Sequence, residues 1–418
     1  MNKTTVSTGA ILVLVIALAL LPLVLAPTQI GAMSQMLIAA LFALAFSLLI
    51  GQGGMLSFGH AAYFAIGCFA TIHAMNAAEQ AGLRLPTPLM PLAGGLAALV
   101  VGAVAGFFAT LRSGVYFSMV TLAIAELFHT LAPNLQGVFG GEGGVSAMRM
   151  PWAGIGFDQE IHVYYLIFGW TLVSALLMYL YTRTSFGRLT VALRENERRV
   201  AFLGYDVHAT KVVVFSISSL FAGIAGGLLA VSSESANYML FNLSYSANVV
   251  LFSYIGGTGL FLGPAVGAGL MSILGYAVSD VTRLWLLYQG LIFVLVMMYA
   301  PGGILPAAQA LVTRGRADGG LPASRVLLSA MPVAMIGCAA VQLLELTSAV
   351  FSRDYQTEVA RTGRWPAITL LSRSWAPDQL LTWAGPALLL AVGVLFLFRL
   401  TRAATRESVM PSGEELAV

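Results

Sequence analysis

Apolar residues in this chain gather into long runs that are nearly free of charge. They show neither the alternating pattern nor the narrow helical stripe of a soluble fold. The runs cover 8–26, 32–50, 55–76, 90–110, 115–133, 162–182, 209–231, 261–279, 284–300, 326–344 and 380–398. Each reaches or approaches the roughly 20 residues that a helix needs to cross about 30 Å of hydrocarbon. A shorter run at 244–255 makes the expected number of spans eleven or twelve. In lipid, backbone groups must be satisfied inside each segment, so the runs predict helices. The ten-residue dyads of a membrane barrel are absent from the sequence. The pattern predicts an all-α polytopic integral membrane helical bundle. Its first run, in MNKTTVSTGAILVLVIALALLPLVLA, has an apolar core of about 19 residues, longer than the 7–15 of a secretory signal. It is expected to be an uncleaved first helix.

Composition and charge sharpen this picture. The chain is 58% hydrophobic and 9% charged, against about 25% charged in soluble domains. A net charge of +3 gives no indication of a nucleic-acid partner. Cys68 and Cys338 both sit inside apolar runs. They offer neither a metal-ligand spacing nor a disulfide framework, and read as packing residues. Lysine and arginine collect on the cytoplasmic side, so they orient the spans. With Lys3 inside and twelve alternating spans, Arg112, the cluster Arg183–Lys211, the group Arg314–Arg325 and the tail Arg399–Arg406 also fall inside, fourteen basic residues in all. Seven fall outside: Arg84, Arg149, Arg283 and four in the loop 346–379. Both termini are therefore expected in the cytoplasm.

The densest charge lies in TSFGRLTVALRENERRVAFLGYD, Thr184–Asp206. Leu189, Leu193, Val200 and Leu203 recur at helical spacing, while Arg188, Glu195, Arg198 and Arg199 lie off that stripe. One amphipathic helix over about 185–204 is expected, with Ser185 as cap, Glu195 and Arg199 as an i,i+4 pair, and Gly204 as the stop. Such a helix docks into another protein's groove or lies on the membrane surface. A solvated loop would leave the same pattern idle.

Few polar groups sit within the spans. Glu126 is about 16 Å along its helix from Val115, near mid-membrane. A carboxylate there costs about 2.5–3.5 kcal/mol unless partnered, so it must face protein or water. His129 and Thr130 follow at i+3 and i+4 on that face. GQGGMLSFGH, Gly51–His60, has four glycines. They either break a helix and present bare backbone to a substrate or allow close helix packing. His60 is a helix-start hydrogen bonder or a ligand. The stretches Ile50–Ala61 and Ile255–Ala265 show a faint repeat, with both turns expected on the cytoplasmic side. The glycine-rich Gly137–Pro151 is expected outside. A phosphate-binding Gly-Lys-Ser/Thr loop is absent, since Lys3 and Lys211 are the only lysines and Thr210 precedes the latter.

Four stretches together resemble permease subunits of branched-chain amino-acid ABC importers, of the Leu/Ile/Val M type. They are the Thr184–Asp206 segment, GQGGMLSFGHAAYFAIG (Gly51–Gly67), LRSGVYFSMVTLAIAELF (Leu111–Phe128) and GGTGLFLGPAVGA (Gly256–Ala268), closed by YAPGGI (Tyr299–Ile304). The resemblance covers about 30–305 and implies about ten family-like spans and a permease domain at 1–305; after it the chain departs from the family with a 306–418 extension, whose two apolar runs predict two further spans. It implies a bacterial inner-membrane protein paired with a second related permease. Two cytoplasmic ATPases and a periplasmic substrate-binding protein complete the set. ATP and magnesium would be held by the ATPases, and this chain would bind no cofactor and perform no catalysis. Arg188, Arg194, Glu195, Asn196, Glu197, Arg198, Arg199 and Gly204 would then belong to a coupling helix seated in an ATPase. Gly53, Gly54, Ser57, His60, Glu126, His129, Thr130, Gly256 and Gly257 would lie along the substrate path. Gly137–Pro151 would meet the binding protein. Two other readings stand beside this one. An ion-coupled carrier would use Glu126 and His129 as a relay. An intramembrane enzyme would use His60, Glu126 or His129, although no metal or nucleophile motif supports it.

Overall fold

The computed structural model describes residues 3–82, 86–152, 154, 156–279, 282–317, 323–370 and 373–409; Arg84 lies outside the described residues. The chain divides into two compact units, Met1–Gln309 and Ala310–Val418.

In the first unit every apolar run becomes a helix. In chain order these are α1 (Lys3–Leu20), α2 (Pro27–Ser47), α3 (His60–Gln80), α4 (Met90–Ala109), α5 (Val115–Leu131), the short α6 (Gln136–Phe139), α7 (Glu160–Arg183), α8 (Ser185–Glu195), α9 (Glu197–Phe202), α10 (Val207–Ser233), α11 (Leu243–Gly256), α12 (Gly263–Ser279), α13 (Trp285–Tyr299) and α14 (Ile304–Ala317). Local chemistry sets their starts. Pro27 opens α2 with Gln29 accepting from the Ala26 amide, and Asp206 caps α10 by accepting from Ala209 N at 3.0 Å. Five helices among the described residues cross a membrane unaided by length and composition, and up to eight do if each bent pair is one span. The runs were expected to span singly. The difference lies in bends such as the 92° turn between α5 and the segment after it, and in helices like α11, whose 14 residues reach only about 21 Å.

The core is built on α10, which packs against α4, α3 and α2. It is buried on nearly every side, from Thr210 to Val231. Small residues permit this. A Cβ at Gly226 would collide with the Phe64 carbonyl of α3, and one at Gly223 with Ala98 of α4. Close backbone approach of this kind replaces the hydrophobic drive that is missing between helices in lipid. The outer faces of α4, α7 and α13 instead carry exposed Leu96, Val100, Val104, Leu176, Leu180, Leu291 and Val294, an apolar belt of the kind that marks a membrane surface.

The alternation expected from charge is visible inside this unit. One end gathers the α2–α3, α4–α5 and α11–α12 turns with α8 and α9. The opposite end gathers the Gly137–Pro151 segment. There β1 (Val145–Ser146) pairs antiparallel with β2 (Ser235–Ala236), and Arg149 bridges to Glu234 at 3.0 Å. The two turns of the faint repeat adjoin one another: a Cβ at Gly51 would stand 3.0 Å from the Thr258 carbonyl.

The second unit is a helical hairpin of α15 (Ala323–Val350) and α17 (Leu380–Val409), closed where Gly393 meets Ile336. The 346–379 stretch is not the plain loop that was expected. It folds into α16 (Arg353–Thr362), capped by Ser352 and ended by Gly363, and a ribbon of β3 (Ile368–Leu370) against β4 (Arg373–Trp375). Tyr355 OH donates to the Pro366 carbonyl at 2.7 Å and fixes α16 to the ribbon's approach.

Candidate functional site

The Thr184–Asp206 segment folds back beneath the bundle, but not as the single helix expected. Asn196 is extended (φ −159°, ψ 100°) and splits it into α8 and α9. Its side chain accepts from Arg199 N at 3.0 Å, so it ends one helix and caps the next. A local side-chain bond of this type competes with the helix ladder. Two expectations fall with the break. Glu195 and Arg199 are no longer one helical turn apart, and no ion pair joins them among the described residues. The cap of α8 is Thr184, accepting from Gly187 N at 3.0 Å, and Ser185 is already inside the helix. Gly204 does end α9. At φ +88° it donates to the Ala201 carbonyl, and Tyr205 donates to that of Val200, a paired closure that a glycine makes without strain.

The segment has an inner and an outer side. Leu193 and Val200 are each 1% exposed and pack inward, but Leu203, expected with them, is 68% exposed. Phe202 beside it is 91% exposed, and Tyr205 is exposed too. Arg188, Glu195, Arg198 and Arg199 face out. Arg194 and Glu197, expected to meet the ATPase with them, are bonded to the bundle, although Arg194 stays exposed. The Arg194 guanidinium donates to the Gly51 carbonyl, and its stem lies against Gly54, whose φ of +66° only glycine takes readily. Glu197 accepts from Lys211 Nζ at 2.7 Å and from Ser113 Oγ at 3.1 Å, while Lys211 Nζ also donates to Ser113 at 2.6 Å. Sequence reasoning missed Ser113, Lys211 and Phe202. Lys211 was a readable signal, one of only two lysines in the chain.

Above the segment, the glycine-rich turn is occupied by its own chain. After α2 the backbone widens, Gly53 N bonding Leu48 O at 3.2 Å, and then leaves helix geometry until His60. Ser118 Oγ donates to Leu56 O at 2.6 Å, Phe58 N donates to Thr121 Oγ1, and Ala61 N donates to Ser246 Oγ at 3.0 Å. Ser57 is buried and accepts from Gly59 N. Gly53 lies buried against Met55 and Val214. A Cβ at Gly59 would strike the Thr121 carbonyl. These backbone groups are thus engaged within the chain. His60 is fully buried among Phe42, Phe46, Tyr63 and Phe215, with Nε2 3.0 Å from Ser218 Oγ. Ser218 donates to Ala45 O at 2.7 Å, so Nε2 carries the proton and Nδ1 is left without a partner. Gly256 and Gly257 form a knot in which α11, the start of α12 and the Pro301–Gly303 turn meet backbone to backbone. Next to it lies a cavity of about 310 Å³ lined by Tyr254, Thr258, Leu260, Pro301 and Pro306.

α5 is one-sided. Phe117, Ser118, Thr121 and Ala125 are buried, whereas Met119, Glu126, Leu127 and Thr130 are exposed. His129 turns away from Glu126 to stack on Tyr238, ring centres 5.9 Å apart. The three residues expected on one face are therefore divided, and no hydrogen bond links Glu126 to His129 among the described residues.

The family of branched-chain amino acid transport system permease components matches residues 28–300. The high-affinity branched-chain amino acid permease protein LivM of Salmonella typhimurium is 29% identical over 70% of this chain and 73% of its own length. The corresponding protein of Escherichia coli is 28% identical over 63% and 66%. The L-arabinose permease protein AraH of Escherichia coli is 33% identical over only 22% and 28%. No solved structure matches the chain. A multi-pass helical bundle with every run from 32 to 300 in place, matched by one model over nearly that whole length, belongs to the permease components of branched-chain amino acid transport systems.

Proposed function

We propose that this chain is one of two permeases in an ATP-driven importer of branched-chain or related amino acids in a bacterial inner membrane, with both termini cytoplasmic. The observation that carries this is the two-sided α8–α9 segment. Its inner side is bonded to two separate turns of the bundle, while its outer side offers Arg188, Glu195, Arg198 and Arg199 around the bare Phe202. A bare aromatic on a face that also carries charges suits a protein groove, where it would be desolvated, better than free solvent. The fitting partner is a cytoplasmic ATPase, which would supply ATP and magnesium. The exposed face of α5 is where a second, related permease fits. Lipid cannot satisfy the Glu126 carboxylate, so a partner or the path between the two chains must. In this reading Glu126 and Thr130 line that path, and the buried His60, Ser57 and the glycines at 53, 54, 256 and 257 shape its walls. His129, turned to Tyr238, helps set the outer end of α5. The Gly137–Pro151 segment, braced through Arg149, would receive a periplasmic binding protein. The amino-acid class rests on the relatives' names, LivM above all.

The test is the double variant Glu195→Ala with Arg198→Ala. Among the described residues neither side chain bonds to the bundle, so membrane insertion should be normal while ATP-dependent uptake of radiolabelled leucine is lost. Full uptake by the double variant, or uptake by the wild type that follows an ion gradient in ATP-depleted vesicles, would sink the reading.

A further inference from the structure

Both ties of the α8–α9 segment end beside α5, one at Ser113 just before it and the other at the turn bonded to its Ser118 and Thr121. Lys211 sits in the second turn of α10 and is 3% exposed. A buried ammonium is stable only if paired and hydrogen-bonded. Here it is held by Glu197, whose side chain stays 43% exposed, and by Ser113, and these two also bond to each other, closing a ring of three. The α10 side of the ring is fixed, because His208 Nδ1 and Thr110 Oγ1, 3.1 Å apart, tie the start of α10 to the end of α4. The other side lies where two helices begin. Glu197 follows directly after the Asn196 break, and Ser113 precedes Gly114, whose φ of +66° starts α5 in open space. The second tie runs from Arg194, on the other side of Asn196, to Gly51. The turn that Gly51 opens is bonded to α5 through Ser118 and Thr121. Beyond these bonds α5 makes ring contacts through Phe117, Phe128 and His129, and Gly59 approaches its Thr121 carbonyl.

From this convergence, and resting on the coupling role proposed above, we infer that α5 is the helix the ATPases move, and that the Glu197–Lys211–Ser113 ring is the tie that moves it. Glu197, Lys211 and Ser113 are positioning residues: they pass displacement of α9 to the base of α5 and do not themselves touch solute. Charge-assisted bonds in a closed ring hold their geometry better than isolated ones, which a tie under load requires.

The test uses the full chain in its complex with co-purifying ATPase, carrying spin labels at Met119 on α5 and Val104 on α4, both exposed in this chain. In the wild type, magnesium-ATP should change the distance between the labels. Lys211→Met removes the buried charge with little loss of volume. It should at least halve that change and lower leucine transported per ATP hydrolysed about tenfold, with the ATPase still bound and hydrolysing within about twofold of the wild type. Ser113→Ala, an exposed turn position that leaves the ion pair in place, should do the same to a smaller extent and guards against misfolding of the first variant. An unchanged label shift in both variants with ATPase bound overturns the tie and leaves the coupling role standing. Loss of the ATPase from both variants would make the ring a docking brace and also overturn it. Failure of the wild-type chain to hold any ATPase overturns the coupling role and the tie together.

Discussion

α10 and α5 lie in the same unit and are both apolar, yet the fold treats them oppositely. α10 has 27 residues and is buried on nearly every side, whereas only four residues of α5's 17 are buried. The first is held by backbone contact through glycines along its length, the second along one edge, by side-chain bonds, ring contacts and a single glycine approach at Thr121. A helix packed on all sides has one position, and one bonded along a single edge can have two. The comparison teaches that the scaffold and the moving part of this permease are told apart by how each is held, since both are equally apolar.

The sharpest way to break the comparison is at Gly226. Gly226→Leu forces a side chain into the Phe64 carbonyl, where overpacking costs about 3 kcal/mol or more. The expected outcome is loss of stably inserted protein, read by melting of the detergent-purified chain. The counterpart on α5 is Glu126→Leu. It is exposed in this chain, so melting should be unchanged, but uptake should fall about tenfold, the size of one lost interaction of 1.4 kcal/mol. Glu126→Gln, which still hydrogen-bonds, should retain most uptake, and a changed pH dependence in that variant would favour the ion-relay alternative. A smaller effect is expected from Thr121→Val. It strands the Phe58 amide, an unsatisfied donor worth about 1–3 kcal/mol, and should loosen α5 before the rest of the unit in hydrogen exchange. The smallest effect is expected from ending the chain after Gln309. Both helices and both ties lie before that point, so assembly and uptake should persist, and their loss would make the second unit part of the machine.

Much of this was legible in the sequence because lipid leaves so few options. Twelve apolar runs gave twelve helices, and the basic residues grouped the turns by end. The Asn196 break was not legible, since Glu-Asn-Glu-Arg-Arg fits an i,i+4 helix pattern as well as it fits a cap. Nor were the bonds of Arg194 and Glu197 to the bundle, because their partners, Gly51 and Lys211, are brought near only by tertiary packing. Lys211 entered the sequence reading as a missing phosphate-loop lysine, and its burial beside Ser113 has no local signature. The cost of Glu126 was legible, but among the described residues it meets no partner. What must cover it is a second surface that one sequence cannot supply.

The coupling role stands or falls most directly at Phe202, the most exposed large hydrophobic side chain on the α8–α9 segment. A photo-crosslinking residue placed there in intact cells should yield one protein adduct, and mass spectrometry should identify it as an ATPase carrying a phosphate-binding loop, with the yield changing when ATP is depleted. Adducts to lipid alone, in cells where the chain is transporting, would show that this segment rests on the membrane and that the chain is driven in another way.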